Sequence, residues 1–296
     1  MMKKSIKNYI TLFFLATIWG SSFILMKKGL LVFSDTQVAA LRLFIAFLSL
    51  TPFLFQAFKK VNKKHILPIF IMAFFGNGIP AFLFTKAQTE LDSSLVGILN
   101  SLVPLFTLLL GVYFFKSKPS KINILGVLLG LCGAVFLALF VAGNGIEINN
   151  YVLLVVLATV MYAISINVIK KYLQNIDALS VTALAFAIIG PLSAFYIFST
   201  DFLTLVQTEE GIEALLYITL LAIVGTSAAV VIFNKLIIRS SAIFASSVTY
   251  LIPIIAILWG VFDGENITIH HILAVIIILS GVYLVNKKSI RKSALK

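Results

Sequence analysis

The sequence predicts an all-α integral membrane protein, with ten transmembrane helices arranged as two inverted five-helix repeats. Three observations carry this. First, 60% of the 296 residues are hydrophobic, 11% are charged, and the mean hydropathy is +1.09. A soluble domain is nearer 45–50% apolar and about 25% charged. The excess excludes a soluble globular enzyme, and also disorder, which needs low hydrophobicity. Second, the apolar residues run continuously instead of alternating, so the spans are helices and not barrel strands. Third, charge is sorted between alternate loops.

A helix needs roughly 20 apolar residues to cross the hydrocarbon core. Such stretches fall at 9–31, 36–58, 66–87, 93–115, 121–142, 150–170, 179–199, 213–235, 241–262 and 269–287. The start, MMKKSIKN, resembles a signal peptide, but no clean cleavage site follows and the first run is long enough to span, so it reads as retained. Span 2 contains Arg42, the one charge well inside a span. KKVNKKH at 59–65 leads into span 3, where Asn77, Gly78 and Pro80 interrupt an apolar helix; Gly225, Thr226 and Ser227 do the same in span 8. Both read as gate-forming segments or as small-residue packing. In span 4, Asn100, Ser101 and Pro104 lie within about one turn. The remaining polar segments, KSKPSK at 116–121 and TDFLTLVQTEEGIE at 200–213, leave no room for a soluble domain.

Ten spans put both termini on one side. That side holds 19 of the 23 Lys and Arg residues; the other holds Lys27, Lys28 and Lys86 and ten of the eleven acids. By the positive-inside rule the termini are cytoplasmic. The net charge of +12 is therefore a topology signal, with weak attraction to anionic lipid, and not a nucleic-acid footprint.

Residues 76–111 align without gaps to 225–260. Gly76 meets Gly225, Phe84 meets Phe233, Lys86 meets Lys235, Pro104 meets Pro253 and Gly111 meets Gly260. The halves are 1–146 and 147–296. Five spans is an odd number, so the second copy is upside down, an arrangement common in secondary transporters.

TIWGSSFILMKKGL (17–30), AALRLFIAFL (39–48) and NSLVPLFTLLLGVYFF (100–115) with ILGVLLGLCGAVFLAL (124–139), then TYLIPIIAILWGVF (249–262) with ILAVIIILSGVYLVN (272–286), resemble the EamA family of the drug/metabolite transporter superfamily. The resemblance covers nearly the whole chain. It implies ten helices, cytoplasmic termini in a bacterial cytoplasmic membrane, and export or exchange of small metabolites, amino acids or drugs. Met161-Tyr162 departs from the Trp-Gly of span 1, as does the loop GENITIHH, and this leaves the substrate open.

A transport site needs polar or aromatic groups near the bilayer midplane. Trp19 and Ser22 share a face of span 1, with Trp19 too deep for the interfacial belt; Tyr162 and Ser165 take the matching place in span 6. Asn77, Asn100 and Pro104 are matched from the second half by Thr249, Tyr250 and Pro253, each proline freeing a backbone carbonyl. Arg42 reads as snorkelling or pairing with Asp35 or Asp92, or else as a gate charge or a contact for a substrate carboxylate; the resemblance includes an Arg at this place, which implies a common structural role rather than substrate choice. Lys86 and Lys235 read as interface snorkellers or alternating gate charges.

No acid lies in the interior of a span, so a buried carboxylate relay is not expected. One cysteine and three scattered histidines give no metal pattern, and no phosphate-binding loop for ATP is present. No cofactor is implied. The expected partners are a small-molecule substrate and membrane lipid, with the chain a monomer or homodimer. The rival class is an integral-membrane lipid-modifying enzyme, for which Glu209, Glu210 and Glu213 form the one acidic cluster, too little for acid–base or metal chemistry.

Overall fold

The computed structural model describes residues 2–141, 150–262 and 268–287. The expected boundary at 146–147 lies outside them, as do Glu147, Asp263, Glu265 and the lysines from Lys288 onward. Among the described residues every regular element is a helix.

The first half holds α1 (Met2–Gly29), α2 (Asp35–Leu50), α3 (Leu54–Phe58), α4 (Lys63–Ala73), α5 (Ile79–Ala87), α6 (Ser93–Asn100), α7 (Val103–Tyr113) and α8 (Lys121–Val141). The second holds α9 (Asn150–Tyr172), α10 (Ala178–Phe198), α11 (Phe202–Leu205), α12 (Glu209–Leu220), α13 (Ala229–Arg239), α14 (Ala242–Ser246), α15 (Val248–Phe262) and α16 (Ile269–Lys287). Among the described residues, seven helical stretches are long and apolar enough to cross a membrane: Ile6–Gly29, Asp35–Phe58, Lys63–Ala87, Leu95–Tyr113, Asn150–Tyr172, Ala178–Phe198 and Glu209–Arg239. Predicted spans 5, 9 and 10 fall on shorter apolar helices, Lys121–Leu137, Ala242–Ile255 and Ile272–Val285.

Local chemistry sets several boundaries. Ser34 caps α2 through a reciprocal box: its hydroxyl accepts from the Gln37 N–H at 3.2 Å while its own N–H donates to Gln37 Oε1 at 2.9 Å. Asp177 caps α10, accepting from the Ser180 N–H at 3.0 Å. Gln37 also donates to Asp201 at 2.7 Å, tying the start of α2 to the far end of α10.

Spans 3 and 8 are not interrupted, contrary to the sequence expectation. A π-helical turn at Phe74–Gly78 joins α4 to α5, and another at Leu221–Ala228 joins α12 to α13. Each is braced alike: Asn77 Nδ2 donates to the Met72 carbonyl at 3.0 Å, and the Thr226 hydroxyl donates to the Leu221 carbonyl at 3.1 Å, five residues back in both cases. Span 4 does break, at Ser101 and Leu102, and Pro104 then sits in the first turn of α7, where its missing N–H removes no helical bond.

Packing turns the usual order inside out. Phe13, Phe55, Leu125, Phe195 and Ile276 stand exposed on the outer surface, as they would against lipid. Small residues let backbones meet inside. A Cβ on Gly126 would meet the Gly281 carbonyl oxygen at 2.8 Å, so α8 and α16 touch main chain to main chain.

Candidate functional site

The helices surround a cavity of about 120 Å³, lined from both halves. Trp19, Ser22, Arg42, Asn77, Asn100, Tyr162, Ser165 and Thr249 all line it.

Its walls are two sets of like contacts. In one, the Trp19 indole N–H donates to the Gly225 carbonyl at 3.0 Å and the ring meets Phe233 edge-on, centroids 5.0 Å apart. A Cβ on Gly225 would lie 2.7 Å from Ser22 Oγ. In the other, Tyr162 stacks on Phe84 at 5.7 Å, and a Cβ on Gly76 would overlap Ser165 Oγ. The sequence alignment that pairs Gly76 with Gly225 and Phe84 with Phe233, together with the match of Trp19–Ser22 to Tyr162–Ser165, relates one set to the other.

Other assignments change. Tyr250 does not reach the cavity: it is fully buried, donates from its hydroxyl to the Val127 carbonyl at 2.7 Å, and lays its ring over Gly130. It pins α15 to α8. Pro104 and Pro253 are buried but do not line the cavity. Pro253 has no N–H for the Thr249 carbonyl; the Ser101 hydroxyl donates to it instead, at 3.2 Å. That freed carbonyl is occupied within the protein.

Asp35 and Asp92 do not pair with Arg42. Asp35 lies 3.7 Å from Lys86 and Asp92 3.6 Å from Lys27. Arg42 lines the cavity and donates from Nε to the Thr226 hydroxyl at 2.6 Å. Lys86 and Lys235 are exposed and lie off the cavity.

Asn100 is buried and its Oδ1 has no hydrogen-bond partner among the described residues. The lining also includes Phe84, Thr226, Phe233 and Asn234, which were not among the expected site residues. The Phe84–Phe233 identity across the halves was the available signal; for Asn234, which donates to the Thr182 hydroxyl at 2.9 Å, a polar residue deep in an apolar span was the signal.

Helices fit to cross a membrane, packed around an internal cavity of aromatic and hydrogen-bonding groups, make this a helical membrane protein. The chain belongs to the EamA-like transporter family, whose model matches twice, over residues 6–139 and 149–287. It is 23% identical to an uncharacterized transporter of Archaeoglobus fulgidus, over 95% of this chain and 99% of that one. A probable amino-acid metabolite efflux pump of Salmonella typhimurium is 24% identical, over 90% of each chain. The uncharacterized inner membrane transporter YedA of Escherichia coli is 25% identical, over 93% of this chain and 89% of its own. A crystal structure 16% identical in sequence shares the fold, with a TM-score of 0.71 over 95% of this chain and 96% of that one.

Proposed function

We propose that this protein is a secondary transporter that exports or exchanges small metabolites, amino acids or amphipathic drug-like molecules, across the bacterial cytoplasmic membrane by alternating access. Its ten spans form two inverted repeats, residues 1–146 and 147–296, with both termini cytoplasmic. The observation that carries this reading is the duplicated wall. Each half supplies an aromatic and a serine on one helix, which meet a glycine and a phenylalanine from the other half. Two like contact sets on opposite sides of one cavity are what a carrier needs to exchange an outward opening for an inward one.

Other features support the finer points. The three shorter apolar helices occupy predicted spans 5, 9 and 10. The ion pairs Lys60–Asp177, Lys27–Asp92 and Lys86–Asp35 each join residues that the charge sorting puts on the same side. The lining has no Asp or Glu among the described residues, which favours exchange or facilitated export over a carboxylate relay.

Efflux from whole cells tests this. Cells expressing the parent are loaded with radiolabelled amino acids and amphipathic drugs and compared with Trp19→Ala and Asn100→Ala. At least one compound should leave faster with the parent, and both variants should lose that gain while reaching the membrane in equal amount. Unchanged export across a broad panel would overturn the transport reading; variants that export as well as the parent would overturn the cavity.

A further inference from the structure

The lining holds one fixed charge. Arg42 is its only charged side chain among the described residues, and no acid stands against it. Thr226 accounts for one of its five N–H donors: it accepts from Nε while its own proton goes to Leu221. The two Nη atoms make no hydrogen bond to the described residues, though the Tyr162 hydroxyl on the same cavity wall is within electrostatic reach. A guanidinium inside a membrane protein without a counter-charge is costly, and its planar fork matches a carboxylate.

The matching place in the second half holds no cation. The register that sets Trp19 beside Tyr162 also sets the cap Ser34 beside the cap Asp177, and it sets Arg42 beside Ala185, which is fully buried. The second half therefore packs the equivalent turn with a methyl group. Asn100 supplies a complementary vacancy: an acceptor oxygen, on a side chain only 7% exposed, whose hydrogen bond is unmade. An unpaired buried acceptor is unfavourable until something donates to it.

We propose that Arg42 and Asn100 Oδ1 form a two-point site for amphipathic carboxylates, and that Arg42 sets the preference for anions over cations. The carboxylate lies on the Arg42 fork, one N–H or O–H of the cargo donates to Asn100, and the apolar body rests among Phe84, Phe233 and Ile252. The site reads a donor and not an ammonium charge, so 2-hydroxy acids enter as 2-amino acids do, and decarboxylated amines are refused. This rests on the transport reading of the same cavity.

The full chain in proteoliposomes tests it with four labelled probes on one skeleton: phenylalanine, phenyllactate, phenethylamine and phenylalaninamide. The two carboxylates should move at rates within about threefold of each other, with both cations at background. Arg42→Gln should slow both carboxylates at least about tenfold, the loss expected of a charge-assisted pair, and Arg42→Lys should fall between. Asn100→Leu should slow both about fivefold without admitting the amines. Should Arg42→Gln not fold, Thr226→Val, which releases Arg42 from its tether, should still weaken the preference for carboxylates about threefold. Amines moved as fast as carboxylates, or carboxylates unaffected by Arg42→Gln, would overturn the proposal and leave transport standing. If none of the four probes and nothing in the whole-cell panel moves, both readings fall.

Discussion

The two halves of the cavity wall agree in their frame and differ in their chemistry. Glycine, serine and phenylalanine recur in register, and both π-helical turns are braced by a side chain bonded five residues back. Against that, tryptophan faces tyrosine, Asn77 faces Thr226, Asn100 faces Thr249, and Arg42 faces Ala185. The repeated residues are small or apolar and set how closely helices approach. The unrepeated ones carry hydrogen-bonding groups or charge. On the transport function proposed above, the symmetric residues serve the helix movements and the asymmetric ones the cargo.

Substitutions at the repeated glycines probe the frame, with the largest effects. An added Cβ at Gly225 meets the Ser22 hydroxyl at 2.7 Å and the Leu221 Cδ1 methyl at 3.1 Å, both ends of side chains that can turn, while Ser22 Cβ stays 3.8 Å away. Rotating the hydroxyl off the Ile18 carbonyl and shifting the methyl relieves the clash. At Gly76 the Ser165 Cβ itself would be 3.1 Å away, so rotation is not enough. Gly76→Ala should therefore lower transport about tenfold and Gly225→Ala about threefold, the scale of mild overpacking, at equal membrane abundance. Ser22→Ala should restore most of the loss in the Gly225 variant, with the Leu221 contact remaining, and Ser165→Ala less of the loss in the Gly76 variant. Equal losses and equal rescue would mean that the two contacts are interchangeable.

Trp19→Phe removes the hydrogen bond to Gly225, and should slow transport about fivefold, near 1 kcal/mol. Tyr162→Phe keeps the stack on Phe84 and should stay within about twofold. The reverse order in initial-rate assays would shift the hydrogen-bonding role to the second half.

Tyr250→Phe separates frame from cavity. Loss of its bond to Val127 should lower stability by about 1 kcal/mol, seen as a lower Tm in detergent, with half-saturation by any transported compound unchanged. A change in half-saturation would return Tyr250 to the cavity wall.

The smallest effect lies at the membrane edge. Burial raises the Asp177 carboxyl, but bonds from Lys60, at 2.8 Å, and Ser180 outweigh it and hold the group below the ordinary carboxylate range. A lowered folded pKa contributes stability above the unfolded value, about 3.9, and loses it as pH falls through the folded one. The parent's advantage over Asp177→Asn should therefore be constant from pH 7 to about 5, begin to shrink near the unfolded value of about 4, and be gone only once the pH has fallen below the folded one. It should stay under about 1 kcal/mol, since the pair is half-exposed. A gap between the melting curves that does not narrow at all as the pH falls below about 4 would assign the effect to the cap.

The helical fold and most of the cavity were legible because polar groups in apolar spans are expensive and so mark themselves: Trp19, Ser22, Asn77, Asn100, Tyr162, Ser165 and Thr249 all line it. Tyr250 was not legible, since one residue on a helix is about 100° of rotation and a helix apolar all round gives no stripe to orient it. The partner of Arg42 was not legible either. Asp35 and Asp92 stood at the right depth, but Lys86 and Lys27 also reach that edge and leave the guanidinium to Thr226. The glycine and proline clusters suggested broken helices because sequence pattern does not show a π turn, which keeps the chain helical while absorbing an extra residue.

That extra residue has a consequence for insertions and deletions. Removing one residue from Phe74–Gly78 would restore α-helical winding and leave the helix after it facing as before, because the π turn holds one residue more than an α turn. Phe84 would stay on Tyr162 and Lys86 near Asp35, while the bond from Asn77 to the Met72 carbonyl would go. The same deletion in Leu221–Ala228 would leave Phe233 on Trp19. A one-residue loss elsewhere in these two helices turns everything after it by about 100°, so the π turns are where an in-frame loss of one codon should cost the cavity least.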